Sequence, residues 1–401
     1  MHGRRPVVIV RLTQIDGTIP NLALMRLAAW HRSQGDEVVW NHGRPVAPRR
    51  IRPSEAKKRK PKPRGSWPFR SDATIDYSPD MDEPAYDVVY ASAIFETSDD
   101  RVRDFRRHWP DAIVGGSGGD STLRVEDVVP SQFVSYDYSG YPDFKASIGY
   151  AMRGCRYACH FCIVPQLEGK ARSNSTIGRI HRGDGHPRDI HLLDNDFFGN
   201  PDWRSVVAEL VEGRYRVCIN QGINVRALAG RPKAAGALGR LRRGQATAAD
   251  LIAIEEGERE ADEQCAALAS LSYKNDAFTR PTLYTAWDNL GDEEVFFQGV
   301  ERLKRHGIPP HHLTVYMLVG YDPKETWDRI MHRYGRMMEE GVRPYPMVFG
   351  GDRRVSDPAN WARLKQFQAW VITGAHKTCA LKDFNASHRP TTVDDRQASL
   401  L

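Results

Sequence analysis

The chain has 401 residues, 40% of them hydrophobic and 27% charged, with a mean hydropathy of −0.55. This supports folded cores and excludes an integral membrane protein built of helices, since no apolar run approaches the ~20 residues a span needs. The net charge of +6 is local: residues 44–65 hold ten Lys or Arg against Glu55 alone, so that segment carries +9 and the remainder −3.

The start, MHGRRPVVIVRL, has too short an apolar run for a signal peptide and is broken by Arg11. Residues 6–12 read as a buried first strand. Pro20 and Asn21 open a helix through LALMRLAAWHRSQ, Gly35 ends it, and residues 37–40 begin a second strand. A strand at 87–94, a helix at 101–108 and a strand at 112–114 complete a Rossmann-like α/β domain over residues 1–125. The glycine run at 115–119 suits either a ligand-lining loop or a tight turn. Residues 41–82 interrupt this domain with basic, Pro-rich sequence that cannot bury enough apolar surface to order itself. The 44–65 basic arm within it fits either a contact to nucleic acid through phosphates or a solvated insertion loop. Residues 126–144 read as a linker.

From residue 145 strand and helix alternate. Apolar segments fall at 146–152, 189–194, 215–221, 282–288, 312–319 and 343–349, with amphipathic stretches such as 293–306 and 324–340 between them. Six such units predict a curved parallel sheet with helices outside and ligands at the carboxyl ends of the strands. Residues 230–272 are long for one connection and predict an inserted helix. Beyond 350 a helical extension over 358–373 packs Trp361, Leu364, Phe367 and Val371 inward, and the tail to 401 reads as loose.

Residues 154–170, GCRYACHFCIVPQLEGK, place Cys155, Cys159 and Cys162 at C-x3-C-x2-C directly after the first of these six strands. Crowded soft thiolates hold iron–sulfur or zinc. A closed zinc site wants a fourth ligand, and His160 is the nearest. Cys218, Cys265 and Cys379 are single, which suits reduced thiols and a cytoplasmic location. The spacing, with aromatic Phe161 before the third cysteine, resembles the signature of the radical S-adenosylmethionine (SAM) superfamily. The resemblance implies a partial (β/α)6 barrel over 145–350, a [4Fe–4S] cluster on the three cysteines, SAM at its open iron, and a reductant of flavodoxin or ferredoxin type. Residues 1–125 resemble the cobalamin-binding-like domain that precedes many such barrels. The D-x-H-x-x-G motif for cobalt is absent, however: residues 16–21 read DGTIPN and His42 lies past the second strand, so cobalamin is not expected. PNLALM, VYASAIF, LEGK, LLDNDFF and NQGINVRAL resemble a little-characterised phage and bacterial branch that carries no known substrate.

The same resemblance points to strand ends as SAM contacts. Asp194, Asn195 and Asp196 stand where a GGE-like segment usually holds the methionyl ammonium, and an Asx turn is the alternative. Asn220, Gln221 and Arg226 follow the third strand, Arg226 suited to a carboxylate. Trp287, Asp288 and Asn289 end the fourth strand, as substrate-side or core residues. Gly320, with Glu325, resembles the adenine-contacting region, though Pro323 and Glu325 also read as a helix start. The expected function is reductive SAM cleavage starting radical chemistry on an unknown substrate, nucleic acid or nucleotide included. The alternatives are a non-catalytic iron–sulfur protein that binds nucleic acid, and a methyltransferase or methylthiotransferase. No catalytic residue beyond the cysteines is assigned.

Overall fold

The computed structural model describes residues 5–46, 74–230, 236–350 and 357–385. The chain divides after Lys145 into two units.

In the first unit, β1 (Ile9–Gln14), β2 (Glu37–Trp40), β5 (Val88–Ser92) and β6 (Ile113–Gly115) form a parallel sheet in the order β2-β1-β5-β6. Helix α1 (Leu22–Ser33) begins at Asn21, whose side chain accepts from the Leu24 N–H at 3.1 Å. Helix α2 (Asp99–His108) carries two aspartates in its first turn and Arg106, Arg107 and His108 in its last, the arrangement its dipole favours. Val10, Leu12, Leu24, Leu27 and Tyr90 form the core. This is the Rossmann-like doubly wound pattern, with strand order reversing between β1 and β5.

Two boundaries differ from the sequence expectation. The segment at 126–144, expected as a linker, packs on the first unit because buried Arg26 donates to the Phe133 carbonyl at 2.7 Å and pairs with Glu126 at 2.5 Å. The Asp137 N–H also donates to the Met25 carbonyl at 3.0 Å. The insert at 41–82 has ordered ends: β3 (Arg44–Pro45) and β4 (Ile75–Asp76) pair antiparallel, and Arg44 meets Asp76 at 2.7 Å. The rest of the basic arm lies outside the described residues.

The second unit contains all six expected strands. β7 (Ser147–Gly149), β10 (Asp189–Leu192), β11 (Arg216–Ile219) and the short β12 (Ser272–Tyr273) form one parallel sheet. β13 (Leu283–Ala286), β14 (Leu313–Val319) and β15 (Arg343–Val348) form another. The Ile223 N–H, just past β11, donates to the Tyr284 carbonyl of β13 at 2.8 Å and joins the two. All these pairings are parallel and run in chain order, as in a partial (β/α)6 barrel.

Helices α5 (Trp203–Glu212), α8 (Glu293–Arg305) and α9 (Trp327–Glu339) follow β10, β13 and β14. On α8, Phe296, Val300 and Leu303 recur at helical spacing and are buried. Gly299 of that helix packs so closely on the turn Val225–Ala229 that a Cβ there would meet the Val225 carbonyl oxygen at 2.2 Å. The inserted connection holds α6 (Ala237–Arg242) and the long α7 (Ala248–Ser270).

The C-terminal helix α10 (Pro358–Ile372) buries Leu364, Phe367, Trp370 and Val371 in the core of this unit. Trp370, not Trp361, takes the inward place, because its indole N–H finds the Cys379 carbonyl at 2.9 Å. No helix among the described residues is long and apolar enough to cross a membrane.

Candidate metal centre

The cysteine loop leaves a two-residue strand, β8 (Met152–Arg153), that pairs antiparallel with β9 (Arg172–Ser173). Its ends are tied. Gly154, at φ +79°, sits where a Cβ would lie 2.2 Å from the Lys170 carbonyl oxygen, so only glycine allows the closure. Glu168 accepts from the Gly154 N–H at 2.9 Å, and the Cys155 N–H donates to the Gly169 carbonyl at 3.3 Å. The LEGK residues are thus the clasp of the loop.

Cys155, Cys159 and Cys162 are free and half-buried. Burial pushes the Cys155 thiol up to about 11 and raises Cys162; the neighbouring thiols add to both effects. A soft metal reverses this preference by binding thiolates. Among the described residues no three His, Cys, Asp or Glu side chains are gathered into a ready-made metal site. The three thiols share one clasped loop without being drawn to a single point. Their chemistry fits an iron–sulfur cluster, which brings its own geometry.

The ends of three strands brace this loop. After β10, Asp196 is 1% exposed and clamps Arg156, accepting from its Nε at 2.7 Å, its Nη2 at 2.9 Å and its backbone N–H at 3.2 Å. Asn195 donates to Glu168 at 3.3 Å. Asp194, completely buried, accepts from the Ala151 and Met152 N–H groups at 2.8 and 3.2 Å, and its other oxygen meets no donor. Burial pushes Asp194 up to about 7. After β11, Arg226 lies 5.5 Å from the Tyr157 ring and donates to Asp292 at 2.6 Å. After β14, Tyr321 meets Phe161 edge-on at 5.4 Å and Phe349 at 4.8 Å.

The other expected residues are placed as follows. Asn220 is buried with its side chain hydrogen-bonded to His191 of β10, and Gln221 is exposed. Trp287 is fully buried and stacked on Phe296, while Asp288 accepts from the Leu318 N–H at 3.1 Å. The Gly320 N–H donates to Glu325 at 3.0 Å. Sequence reasoning missed Arg333 of α9. It is 1% exposed, donates to the Trp287 and Leu318 carbonyls at 2.9 and 2.7 Å, and pairs with Glu325, locking the ends of β13 and β14 together. In sequence it looks like one more arginine of an amphipathic helix.

The equivalent crevice of the first unit lies where its strand order reverses. There Asp16 accepts from the Ile94 and Phe95 N–H groups at 2.8 and 2.9 Å, and Tyr141 donates to Gln14 at 2.7 Å. Gly116 and Gly118 press against the Ala93 and Phe95 carbonyls, so the glycine run serves a close approach within the chain. His42 is fully buried, with Nδ1 accepting from the Gln14 N–H and Nε2 facing the Gly140 carbonyl at 3.3 Å. These residues do not fit a cobalt ligated by histidine.

No family model matches the sequence, and no curated protein matches it. In three dimensions the chain is similar to a solved structure of an apo, selenomethionine-labelled, cobalamin-dependent S-adenosylmethionine radical enzyme, OxsB, at 10% identity and a TM-score of 0.46. The match covers 90% of this chain and 56% of that one, so this chain spans about half the length of that enzyme.

Proposed function

We propose that this chain is a radical SAM enzyme whose Cys155, Cys159 and Cys162 hold a [4Fe–4S] cluster. The observation that carries the reading is the cysteine loop at the carboxyl end of a six-strand parallel array, clasped by Glu168 and braced by Asp196, Arg226 and Tyr321. When bound, the cluster and SAM supply one-electron cleavage chemistry, with the electron coming from a flavodoxin- or ferredoxin-type donor.

The chain's own groups bind and orient. The thiolates of Cys155, Cys159 and Cys162 would hold the cluster. Asp194 and Asp196 fix the two ends of the segment entering the loop. Asn195, Asn220, Gln221 and Arg226 offer hydrogen bonds to the polar end of SAM, and the Gly320 turn offers backbone to its adenine. The protein works in the cytoplasm, where its single cysteines stay reduced. The basic arm recruits a nucleic-acid partner through phosphates. Cobalamin has no part in the reading, given the engaged groups in the first unit's crevice.

Anaerobic reconstitution followed by metal analysis and a SAM-cleavage assay tests it. About four irons per chain are expected, with both iron and SAM cleavage lost in Cys155→Ala, Cys159→Ala and Cys162→Ala. Stoichiometric zinc without iron, or cleavage that survives loss of the cysteines, refutes it.

A further inference from the structure

The strands of the second unit run parallel, so their starts lie at the end of the array opposite the cysteine loop. Several basic residues come together at that foot. Lys274 directly follows β12, and its N–H donates to the Val217 carbonyl of β11 at 2.7 Å. Arg280 precedes β13, His311 and His312 close the turn Pro310–His312 that leads into β14, and Arg343 opens β15 in register with Thr314. The Tyr273 hydroxyl meets His312 Nδ1 at 2.7 Å, which ties β12 to the start of β14, and the His311 ring stands edge-on to His312 at 4.7 Å.

These cations lack what the other arginines of this unit have. Arg216, Arg226, Arg302 and Arg333 each pair with a carboxylate. Among the described residues no carboxylate pairs with Lys274, Arg280 or Arg343. Arg343 is half-buried; burial lowers its guanidinium, and Arg280 pushes the same way. Burial also lowers His312, with His311, Arg343 and Lys274 adding to it. Asp276, the acid of the intervening loop, bears instead on Tyr284, Tyr316 and Tyr345, which burial raises and its charge raises further. Like charges held together repel, and a half-buried cation without an anion costs stability. A foot that served stability alone would be better built with pairs.

The chemistry of the cluster selects its ligand. Lys274, Arg280 and Arg343 carry permanent charge, and Arg280 and His311 are exposed to what approaches. A carboxylate would bring a single negative charge. A phosphate monoester brings about −1.5 to −2 and three strong acceptor oxygens, which suit a guanidinium fork beside an ammonium.

We propose that the foot of the second unit binds a phosphate group, with Arg280 and Lys274 on its oxygens, His311 at the rim, and Arg343, whose Nη1 is enclosed, supplying charge from behind. The site stands independently of the cysteine loop and of the radical SAM reading. Its phosphate belongs to a small phosphorylated molecule or to a nucleic-acid backbone, and the test separates these sources.

The full chain is studied by calorimetry and thermal melting at constant ionic strength, with inorganic phosphate, adenosine monophosphate, acetate, and a single-stranded oligonucleotide without terminal phosphates. Phosphate and adenosine monophosphate should bind one saturable site and raise the melting temperature, and acetate should do neither. Displacement of adenosine monophosphate by the oligonucleotide identifies a nucleic-acid backbone as the source; its failure identifies a small phosphorylated molecule. Arg280→Gln, at an exposed position, should weaken binding about tenfold, as loss of one hydrogen bond between charged groups does. Arg343→Gln should weaken it as well and, without ligand, should melt above the wild type because a repulsion is gone. The proposal is overturned by absence of saturable phosphate binding, by acetate acting as well as phosphate, or by an Arg343→Gln melting temperature below that of the wild type. Unchanged affinity in both folded variants overturns it too, and assigns the anion to the basic arm.

Discussion

Asp194 gives the sharpest test of how the strand ends are built. Its carboxyl group is completely buried, holds two backbone N–H groups with one oxygen, and leaves the other without a donor. Burial is the largest influence on it; Glu168 pushes the same way, while the two N–H groups and Arg153 oppose. Its titration point therefore moves from near 4 in the unfolded chain to about 7 in the fold. A raised folded value means the contribution to stability is present at low pH and is lost as pH rises toward and through 7. The whole displacement corresponds to about 4 kcal/mol, of which about 2–3 kcal/mol falls between pH 5 and pH 8. Asp194→Asn keeps an oxygen for the Ala151 and Met152 N–H groups and cannot ionise. Urea unfolding at several pH values, on the wild type and this variant, reads the difference. The wild type should lose about 2–3 kcal/mol relative to the variant on going from pH 5 to pH 8. Parallel pH profiles would show that Asp194 is ionised throughout and would refute the burial argument.

Gly154→Ala should strain the loop closure by about 1–3 kcal/mol and lower iron retention, measured by denaturation and iron analysis. Arg333→Met removes one partner of a buried ion pair and should cost about 3–5 kcal/mol in urea unfolding; a loss under ~1 kcal/mol would show that Glu325 finds solvent. Deleting residues 47–65 spares the Arg44–Asp76 pair of the hairpin. It should weaken oligonucleotide binding and flatten its salt dependence in anisotropy titrations, whereas unchanged affinity would make the arm a solvated loop.

The six strands of the second unit were legible because strands buried on both faces appear as continuous apolar runs. Their polar ends were legible as places but not as partnerships. Residues 146–152 read as one strand, yet the ladder stops at Gly149 because the Ala151 and Met152 N–H groups turn to Asp194, more than forty residues away. Asp196 looked like a ligand for a cation, and the cation it meets in the fold is Arg156 of the cysteine loop. Residues 126–144 have no periodicity and so read as a linker; what anchors them is buried Arg26 on α1, with the Asp137 N–H on the Met25 carbonyl and Tyr141 on Gln14. Trp361 was expected inward, whereas Trp370 takes the core place, its indole N–H donating to the Cys379 carbonyl of a later turn. In each case the deciding partner is distant in sequence, and spacing holds no signal for it.

The two units treat their strand ends differently. In the first, the groups at the strand-order reversal answer one another: Asp16 takes two N–H groups, Gln14 joins Tyr141, and Asn21 donates to Ser92 at 2.8 Å. In the second, the carboxyl ends carry three thiols, and the second oxygen of Asp194 is buried without a donor. Buried polar atoms are normally paired, and keeping them unpaired costs stability. A fold that carries that cost beside a clasped cysteine loop keeps unused bonding capacity at its strand ends.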